Sequence, residues 1–186
     1  MEYRKNVCLK DGRTCVIRNG TAADAAAVLD VFVRTHGQTD FLTTYPEETV
    51  LTEEQEKDYL RKKTENGREA ELVAEVDGQI VGTAGIDLIR PAEKTRHRAA
   101  FGIGIDKLWW GLGIGRALTA GCIECARTAG YAQLELEVVA DNVRAAALYQ
   151  NAGFIEYGRN PRGFRTRDGR WQELILMRLA LDRQNT

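Results

Sequence analysis

The chain has 186 residues, of which 44% are hydrophobic and 28% charged, and its formal net charge is −1 at pH 7. This length predicts a single domain over residues 1–186, with a core at about 15–180. The near-neutral charge argues against nucleic acid as a partner. Because no apolar run reaches the roughly 20 residues that cross a bilayer, and no apolar segment follows the N-terminus, we expect no membrane contact and a cytoplasmic location.

The first third of the chain predicts a hairpin followed by two helices. An Asp-Gly turn at 11–12 lies between two short apolar runs, as in a β-hairpin. Thr21 is a typical helix N-cap, and the apolar stripe behind it ends at 36–37. Residues 38–52 show no clear period, and a polar helix is expected over 52–66.

The rest of the chain predicts strands interrupted by two helices. Two alternating runs at 71–76 and 79–89 are joined by an Asp-Gly turn, which is a strong hairpin signal. Further strands are expected at 97–105, 134–139, 154–157 and 171–179, with helices at 113–129 and about 142–151. This order predicts one mixed α/β unit.

Three glycines alternate immediately before the helix expected at 113–129: Gly111, Gly113 and Gly115. A backbone without Cβ atoms can approach a ligand closely, and a helix N-terminus offers unpaired N–H groups and the positive end of a dipole. The segment therefore predicts a phosphate site, with glycines that serve tight packing alone as the alternative.

Two other phosphate loops fit the segment poorly. The chain contains no Walker string, and the dinucleotide fingerprint fails because Arg116 or Leu118 stands where its third glycine belongs. Glu135 has the spacing of a ribose-binding acid, but repeated βαβ units are missing from the pattern. A nucleotide-dependent oxidoreductase is therefore disfavoured.

The sequence around these glycines resembles the acyl-CoA loop of the GNAT superfamily of N-acyltransferases. That loop reads Gln/Arg-x-x-Gly-x-Gly/Ala, and the later two glycines match, whereas Trp110 stands where the family has Gln or Arg. The substitution removes a side-chain donor but no backbone N–H group. A second family motif follows: a strand at 134–139, then Asn142, then Tyr149 on a short helix, then Gly-Phe at 153–154. The resemblance spans roughly residues 15–180.

The resemblance implies an α/β (α+β) fold with a mixed, mostly antiparallel central sheet of six to seven strands flanked by helices. In the family, the strand before the glycine loop splays from the next strand and admits the pantetheine arm of acetyl-CoA. Ile103, Gly104 and Ile105 would line that arm, and Asn142 would lie near the cofactor. The pyrophosphate would be held by Gly111, Leu112, Gly113, Ile114, Gly115 and Arg116.

The resemblance also implies direct transfer of acetyl from acetyl-CoA to a primary amine of a small molecule or a protein. Tyr149 would act as general acid toward the CoA thiolate, unless it only packs its helix, and a backbone N–H near Ile103 would stabilise the oxyanion. Many relatives carry a Glu where this chain has Ala100. The base therefore stays open between Glu135, Glu137 and water.

Acceptors in the family bind over segments that correspond here to 35–52 and 157–170. The first segment is acidic at Glu47 and Glu48 and aromatic at Phe41 and Tyr45, which suits a cationic amine. The second is basic and would contact the 3′-phosphate of CoA or an acidic partner; solvated charge is the alternative for both. Its arginines are Arg159, Arg162, Arg165, Arg167 and Arg170. A homodimer is common among relatives.

Two further features bear on function. Cys122 and Cys125 form a C-x-x-C pair, but no second pair or His cluster has ligand spacing, so we expect buried thiols and no metal site. The leading hypothesis is an N-acetyltransferase; the alternative, an acyl-CoA-binding module without turnover, is supported by the departures at Ala100 and Trp110.

Overall fold

The computed structural model describes residues 1–48 and 51–181; Thr49 and Val50, within the loop expected over 38–52, lie outside the described residues, as do residues 182–186. The strands are β1 (Arg4–Cys8), β2 (Thr14–Asn19), β3 (Ala70–Val76), β4 (Gln79–Leu88), β5 (Arg98–Ile105), β6 (Gln133–Val139), β7 (Ile155–Arg165) and β8 (Trp171–Ala180). The α-helices are α1 (Ala25–Gly37), α2 (Glu53–Glu65), α3 (Ile114–Thr128) and α4 (Val143–Asn151).

One sheet contains all these strands, in the spatial order β1-β2-β3-β4-β5-β6-β8-β7. Every neighbouring pair is antiparallel except β5 and β6. The predicted mixed, mostly antiparallel α/β fold is thus confirmed, with eight strands instead of six or seven. The count is higher because the opening hairpin pairs onto β3 and β7 extends the far edge beyond β8.

The chain after α4 differs from expectation. The strand expected at 154–157 is longer than predicted: residues 158–165 continue β7, which pairs with β8. A long β8 offers partners along its whole length, so an antiparallel hairpin can extend outward from its turn at 166–170. The register of this pair shifts twice, between Glu156 and Gly158 and between Asn160 and Phe164.

Helices cover both faces of the sheet. On one face α3 packs over a core that includes Leu72, Leu118 and Leu134, all fully buried. On the other face α1 and α2 enclose a smaller cluster around Leu60 and Val73. No helix in the described ranges is both long and apolar enough to cross a membrane.

Polar caps set the starts of two helices near the expected positions. The hydroxyl of Thr52 accepts the N–H of Gln55, whose side chain accepts the N–H of Thr52 in return, forming a capping box at α2. The side chain of Asn142 accepts the N–H of Ala145 at 3.2 Å and so caps α4.

The parallel pair β5–β6 is short. Only Arg98 to Ala100 have Cα partners on β6, although β5 continues to Ile105 and β6 to Val139. The two strands therefore separate after Ala100, as the splayed pair was predicted to do. The gap opens toward the starts of α3 and α4.

Candidate functional site

A cavity of about 620 Å³ lies along residues 103–105, the part of β5 that has no partner on β6. Its wall contains the expected residues of β5 and the glycine loop together with Asn142 and Tyr149. Ile114 is the exception: it lies outside the wall, and its side chain is buried in the core. Any contact of Ile114 with a ligand would therefore run through its main-chain N–H.

The three glycine positions at the start of α3 require glycine for different structural reasons. Gly111 has φ +88° and Gly113, the N-cap of α3, has φ +104°, in the left-handed region that side chains disfavour. At Gly115, a Cβ would lie 3.2 Å from Leu148 and 3.4 Å from Ile105, so α3, α4 and β5 meet there in close contact, and a methyl group would push the Leu148 side chain aside by a few tenths of an ångström. Tight packing thus explains Gly115, while the loop still directs the start of α3 at the cavity.

The side chain of Trp110 ties the glycine loop to the end of β5. Its indole N–H donates to the carbonyl of Ile105 at 2.7 Å, and the guanidinium of Arg144 lies 5.2 Å from its ring. The expectation that Trp at this position removes a donor is therefore incomplete, because the indole donor is used inside the loop. It holds the loop against the strand that lines the cavity.

Three cationic side chains line the cavity near the start of α3: Lys10, Arg116 and Arg144. In the described part of the chain none of them forms an ion pair, whereas Lys5 pairs with Glu124 at 2.6 Å. The main-chain N–H of Lys10 donates to the carbonyl of Leu112 at 3.1 Å, which docks the first hairpin on the glycine loop. The sequence did not predict Lys10 or Arg144 as residues of the site. For Lys10 the reason is that no local pattern links residue 10 to a loop a hundred residues away.

Tyr149 both packs in the core and borders the cavity. Its ring is 7% exposed and lies 5.9 Å from Phe101 and 6.0 Å from Phe154 in edge-on contacts. Burial raises the pKa of its hydroxyl well above the usual value. The phenol is therefore protonated at neutral pH and available as a donor.

Small residues line the α1 side of β5: Ala100, Gly102 and Gly104. A Cβ on Gly102 would meet nothing within 4 Å, and one on Gly104 would lie 3.4 Å from the hydroxyl oxygen of Thr35. Strand alternation places Glu135 and Glu137 on the same side of the neighbouring β6. Neither glutamate lines the cavity itself.

The two candidate bases on β6 have different surroundings. Arg98 donates to Glu135 through two nitrogens, one at 2.6 Å, and Gln133 donates at 2.7 Å. The hydrogen bond from Arg98 holds the pKa of Glu135 below its usual value. Glu137 is exposed and has no ion pair within the described ranges.

The acidic and basic segments expected to bind the acceptor partly neutralise each other. Arg167 pairs with Glu47, its guanidinium lies 3.8 Å from the ring of Tyr45, and its N–H donates to the Tyr45 hydroxyl at 3.0 Å. Of the four residues expected on the first segment, only Phe41 lines the cavity.

The arginine run of residues 159–170 does not border the cavity at all. Arg159 pairs with Glu173 at 2.6 Å and Arg170 with Asp168 at 2.7 Å. Arg162 and Arg165 lie 5.5 and 5.3 Å from the ring of Trp171. The expectation that this run contacts the 3′-phosphate of CoA is therefore not supported by its position.

The cysteine pair lies inside α3. Cys122 and Cys125 are both buried, and burial raises the pKa of Cys125 to about 11. Their thiols are part of the helix–sheet core.

Known proteins resemble this chain in both sequence and structure. It is 36% identical over 85 residues to the L-amino acid N-acetyltransferase AaaT of Escherichia coli, a match that covers 45% of the chain and about half, 52%, of that relative. A ribosomal-protein-alanine N-acetyltransferase from Brucella melitensis superposes with a TM-score of 0.79 at 32% identity, covering 89% of the chain and 99% of that structure.

A third similar protein, yncA from Salmonella typhimurium, was solved with its cofactor acetyl-CoA. It superposes with a TM-score of 0.81 at 22% identity, covering 92% of the chain and 96% of that structure, which is a likeness of fold. The sequence profile of the acetyltransferase (GNAT) family matches residues 33–154, more than half of the chain. The chain belongs to the GNAT acetyltransferase family.

Proposed function

We propose that this protein is an N-acetyltransferase that moves acetyl directly from acetyl-CoA to a primary amine of a small molecule, a peptide or a protein. The observation that supports this most is one cavity that joins three features: the end of β5 that has no partner on β6, the glycine loop at α3, and Tyr149. A thioester on a long arm with phosphates at its other end fits this sequence of features.

In the proposed complex the pantetheine arm lies along residues 103–105, whose strand has no partner on the β6 side. The pyrophosphate lies at the start of α3, where main-chain N–H groups and the helix dipole favour an anion. Arg116, Arg144 and Lys10 add positive charge there. Asn142 lines the same cavity while it caps α4.

The proposed reaction is a direct attack of the neutral amine on the thioester carbonyl carbon. The carbonyl oxygen gains negative charge, which a main-chain N–H near Ile103 stabilises. The C–S bond then breaks, and Tyr149 donates a hydrogen bond and then its proton to the leaving thiolate, to be reprotonated from solvent. The proton lost by the amine passes to a base.

Glu137 is the proposed base, acting through water. An alkyl ammonium with a pKa of about 10.4 is neutral in about one molecule in 2,500 at pH 7, so a base matters for such acceptors. Glu135 is less suited, because Arg98 holds its pKa low and occupies its oxygens. Glu137 lies on the same side of β6, beyond the point where β5 has separated.

The proposed acceptors are primary amines, a class that includes the acceptors named for similar proteins. The names of similar proteins include L-amino acids and the alanine of a ribosomal protein as acceptors, and both present an α-amine. A cytoplasmic location and a homodimer stay predictions.

Two measurements test the proposal. Calorimetric titration with acetyl-CoA should give saturable binding, and a panel of amino acids, alanyl peptides, polyamines and aminoglycosides should yield an acetylated product. Tyr149→Phe should bind acetyl-CoA with unchanged affinity and lower kcat about 100-fold. Absence of binding at millimolar acetyl-CoA would rule the proposal out.

The same measurements separate the alternative function. If acetyl-CoA binds but no amine of the panel is acetylated, the chain is better described as an acyl-CoA-binding module.

A further inference from the structure

The end of α1 forms part of the cavity wall on the acceptor side. Thr35 lines the cavity and is 4% exposed, and after the helix ends Thr39, Phe41 and Leu42 line it as well. Gln38, the C-cap of α1, lies between these lining residues but is not one of them. The segment 39–42 therefore begins directly after Gln38.

The side-chain amide of Gln38 bridges from α1 to the residues that follow β5. Its Oε1 accepts the main-chain N–H of Lys107 at 2.8 Å, and its Nε2 donates to Oδ1 of Asp106 at 3.1 Å. A side-chain amide carries an acceptor oxygen and a donor NH2 group on one planar unit, so a single side chain satisfies both partners. Both partners follow Ile105, the last residue of the strand proposed to carry the pantetheine arm.

Asp106 is buried and is held in place by several hydrogen bonds and one ion pair. It is 2% exposed, its Oδ1 also accepts the N–H of Leu108 at 3.1 Å, and its Oδ2 faces Nε of Arg34 at 3.5 Å. Its own N–H donates to the carbonyl of Val81 at 3.0 Å. Gln38 is thus bonded to a buried group that is already held by β4, by α1 and by the turn leading to the glycine loop.

We propose that Gln38 is a positioning residue that couples the cofactor strand to the acceptor wall. An arm lying along residues 103–105 restricts residues 105–107, and the two hydrogen bonds of Gln38 transmit this restriction to segment 39–42. The inference rests on the proposed function, since it takes acyl-CoA to lie along β5. Because coupling between two sites is reciprocal, bound CoA should favour acceptor binding.

The first test uses CoA alone and needs no turnover. Hydrogen exchange of the main-chain amides of residues 39–42 is measured with and without saturating CoA in the wild type, Gln38→Ala and Gln79→Ala. Gln79 is an exposed glutamine at the start of β4 that does not line the cavity, and it provides the matched control.

We expect CoA to slow this exchange in the wild type and in Gln79→Ala, and to leave it unchanged in Gln38→Ala. The CoA affinity of Gln38→Ala should stay within about twofold of the wild type. One hydrogen bond contributes a factor of about five to an equilibrium constant. Loss of the two bonds of Gln38 should therefore raise the KM for the acceptor about five- to thirtyfold, with little change in kcat.

Gln38→Glu gives a readout that a purely structural role would not move. A glutamate keeps the acceptor for Lys107 but places a second carboxylate against Asp106, and protonation restores the donor. Its acceptor KM, divided by that of the wild type, should fall between pH 8 and pH 6, whereas the same ratio for Gln38→Ala should stay flat.

The outcomes distinguish this proposal from the proposed function. CoA binding with the same protection in Gln38→Ala as in the wild type overturns the positioning role alone. A parallel loss of CoA affinity and thermal stability in Gln38→Ala also overturns it, because the residue would then only support the fold. Failure of CoA to bind the wild type overturns both.

Discussion

Two glutamates on β6 point to the same side of the sheet, and their neighbours decide what each can do. Glu135 lies opposite Ala100 and is held by Arg98 and Gln133. Glu137, two residues further along, is exposed and lies where β5 has already separated. One carboxylate thus stabilises the last paired rows of the parallel strands, while the other is exposed to water.

This difference predicts a large loss of catalytic efficiency when Glu137 is replaced and a small one when Glu135 is replaced. Glu137→Gln should lower kcat/KM about 100-fold for an alkyl amine acceptor and less for an α-amine, because more of an α-amine is already neutral at pH 7. Glu135→Gln should change kcat/KM less than tenfold. Steady-state kinetics with both acceptor classes checks this, and equal losses in the two variants would contradict the assignment of Glu137.

The same pair predicts a pH dependence of stability. The folded-state pKa of Glu135 is lowered, so its contribution is present above the unfolded pKa of about 4.3 and is lost as pH falls through the folded pKa. Since the side chain of Arg98 is 35% exposed, solvent screening limits the effect to about 1 kcal/mol.

Urea unfolding of Glu135→Gln should therefore show lower stability than the wild type at pH 7 and a smaller difference below pH 4. Glu137→Gln, which removes no ion pair, is the control. A difference for Glu135→Gln that is constant from pH 7 to pH 3.5 would be inconsistent with the Arg98 pair as its source.

At the scale of elements, the loop between β5 and α3 combines two kinds of constraint. Its backbone passes through left-handed conformations at Gly111 and Gly113, and its path is held by Trp110 bonded to Ile105. The N-cap of α3 is itself a residue with positive φ. The direction in which α3 begins is therefore set by the backbone conformation of the loop and not by a polar N-cap side chain.

Gly113→Ala should affect ligand binding beyond its cost in stability. An L-residue in the left-handed region is destabilised by about 1–2 kcal/mol, which the loop can relieve by moving the first N–H groups of α3. We expect acetyl-CoA affinity to fall at least tenfold by calorimetry. Gly78→Ala is the control, because Gly78 has φ +77°, a Cβ there meets nothing within 4 Å, and Gly78 does not line the cavity.

If both glycine variants lose similar stability and only Gly113→Ala loses affinity, the backbone of the loop contributes to the site. Equal affinities in the two variants would assign Gly113 to folding alone.

At the scale of the whole molecule, local signals predicted much more of the fold than of the cavity wall. Asp-Gly turns, Thr and Asn caps and periodic apolar residues placed most strands and helices, while the splayed pair was implied by the family resemblance. The extension of β7 was missed because its pairing depends on β8, which follows it in the chain. Likewise, the charge of the acceptor segments was readable, but the pairing of Arg167 with Glu47 depends on packing across 120 positions.

The first hairpin shows why such packing matters for function. The strands β1 and β2 form the sheet edge farthest from β7, and β1 precedes the expected core, yet Lys10 follows β1 into contact with the glycine loop. The sheet order and the Lys10–Leu112 hydrogen bond bring a cation from one edge of the sheet to the proposed phosphate site at its centre.

Lys10→Met should therefore weaken acetyl-CoA binding although residue 10 lies far from both family motifs. Its main-chain bond to Leu112 is kept, so the change removes charge with little effect on the docking of the hairpin. We expect a Kd increase of about fivefold in 20 mM salt, because a charge-assisted contact to phosphate is lost. The increase should shrink in 0.5 M salt, because salt then screens charges that are more than a few ångströms apart.

Lys94→Met, at an exposed lysine away from the cavity, should bind acetyl-CoA as the wild type does. A Lys10→Met affinity equal to that of Lys94→Met at both salt concentrations would show that the hairpin supports the loop without contributing charge to the ligand.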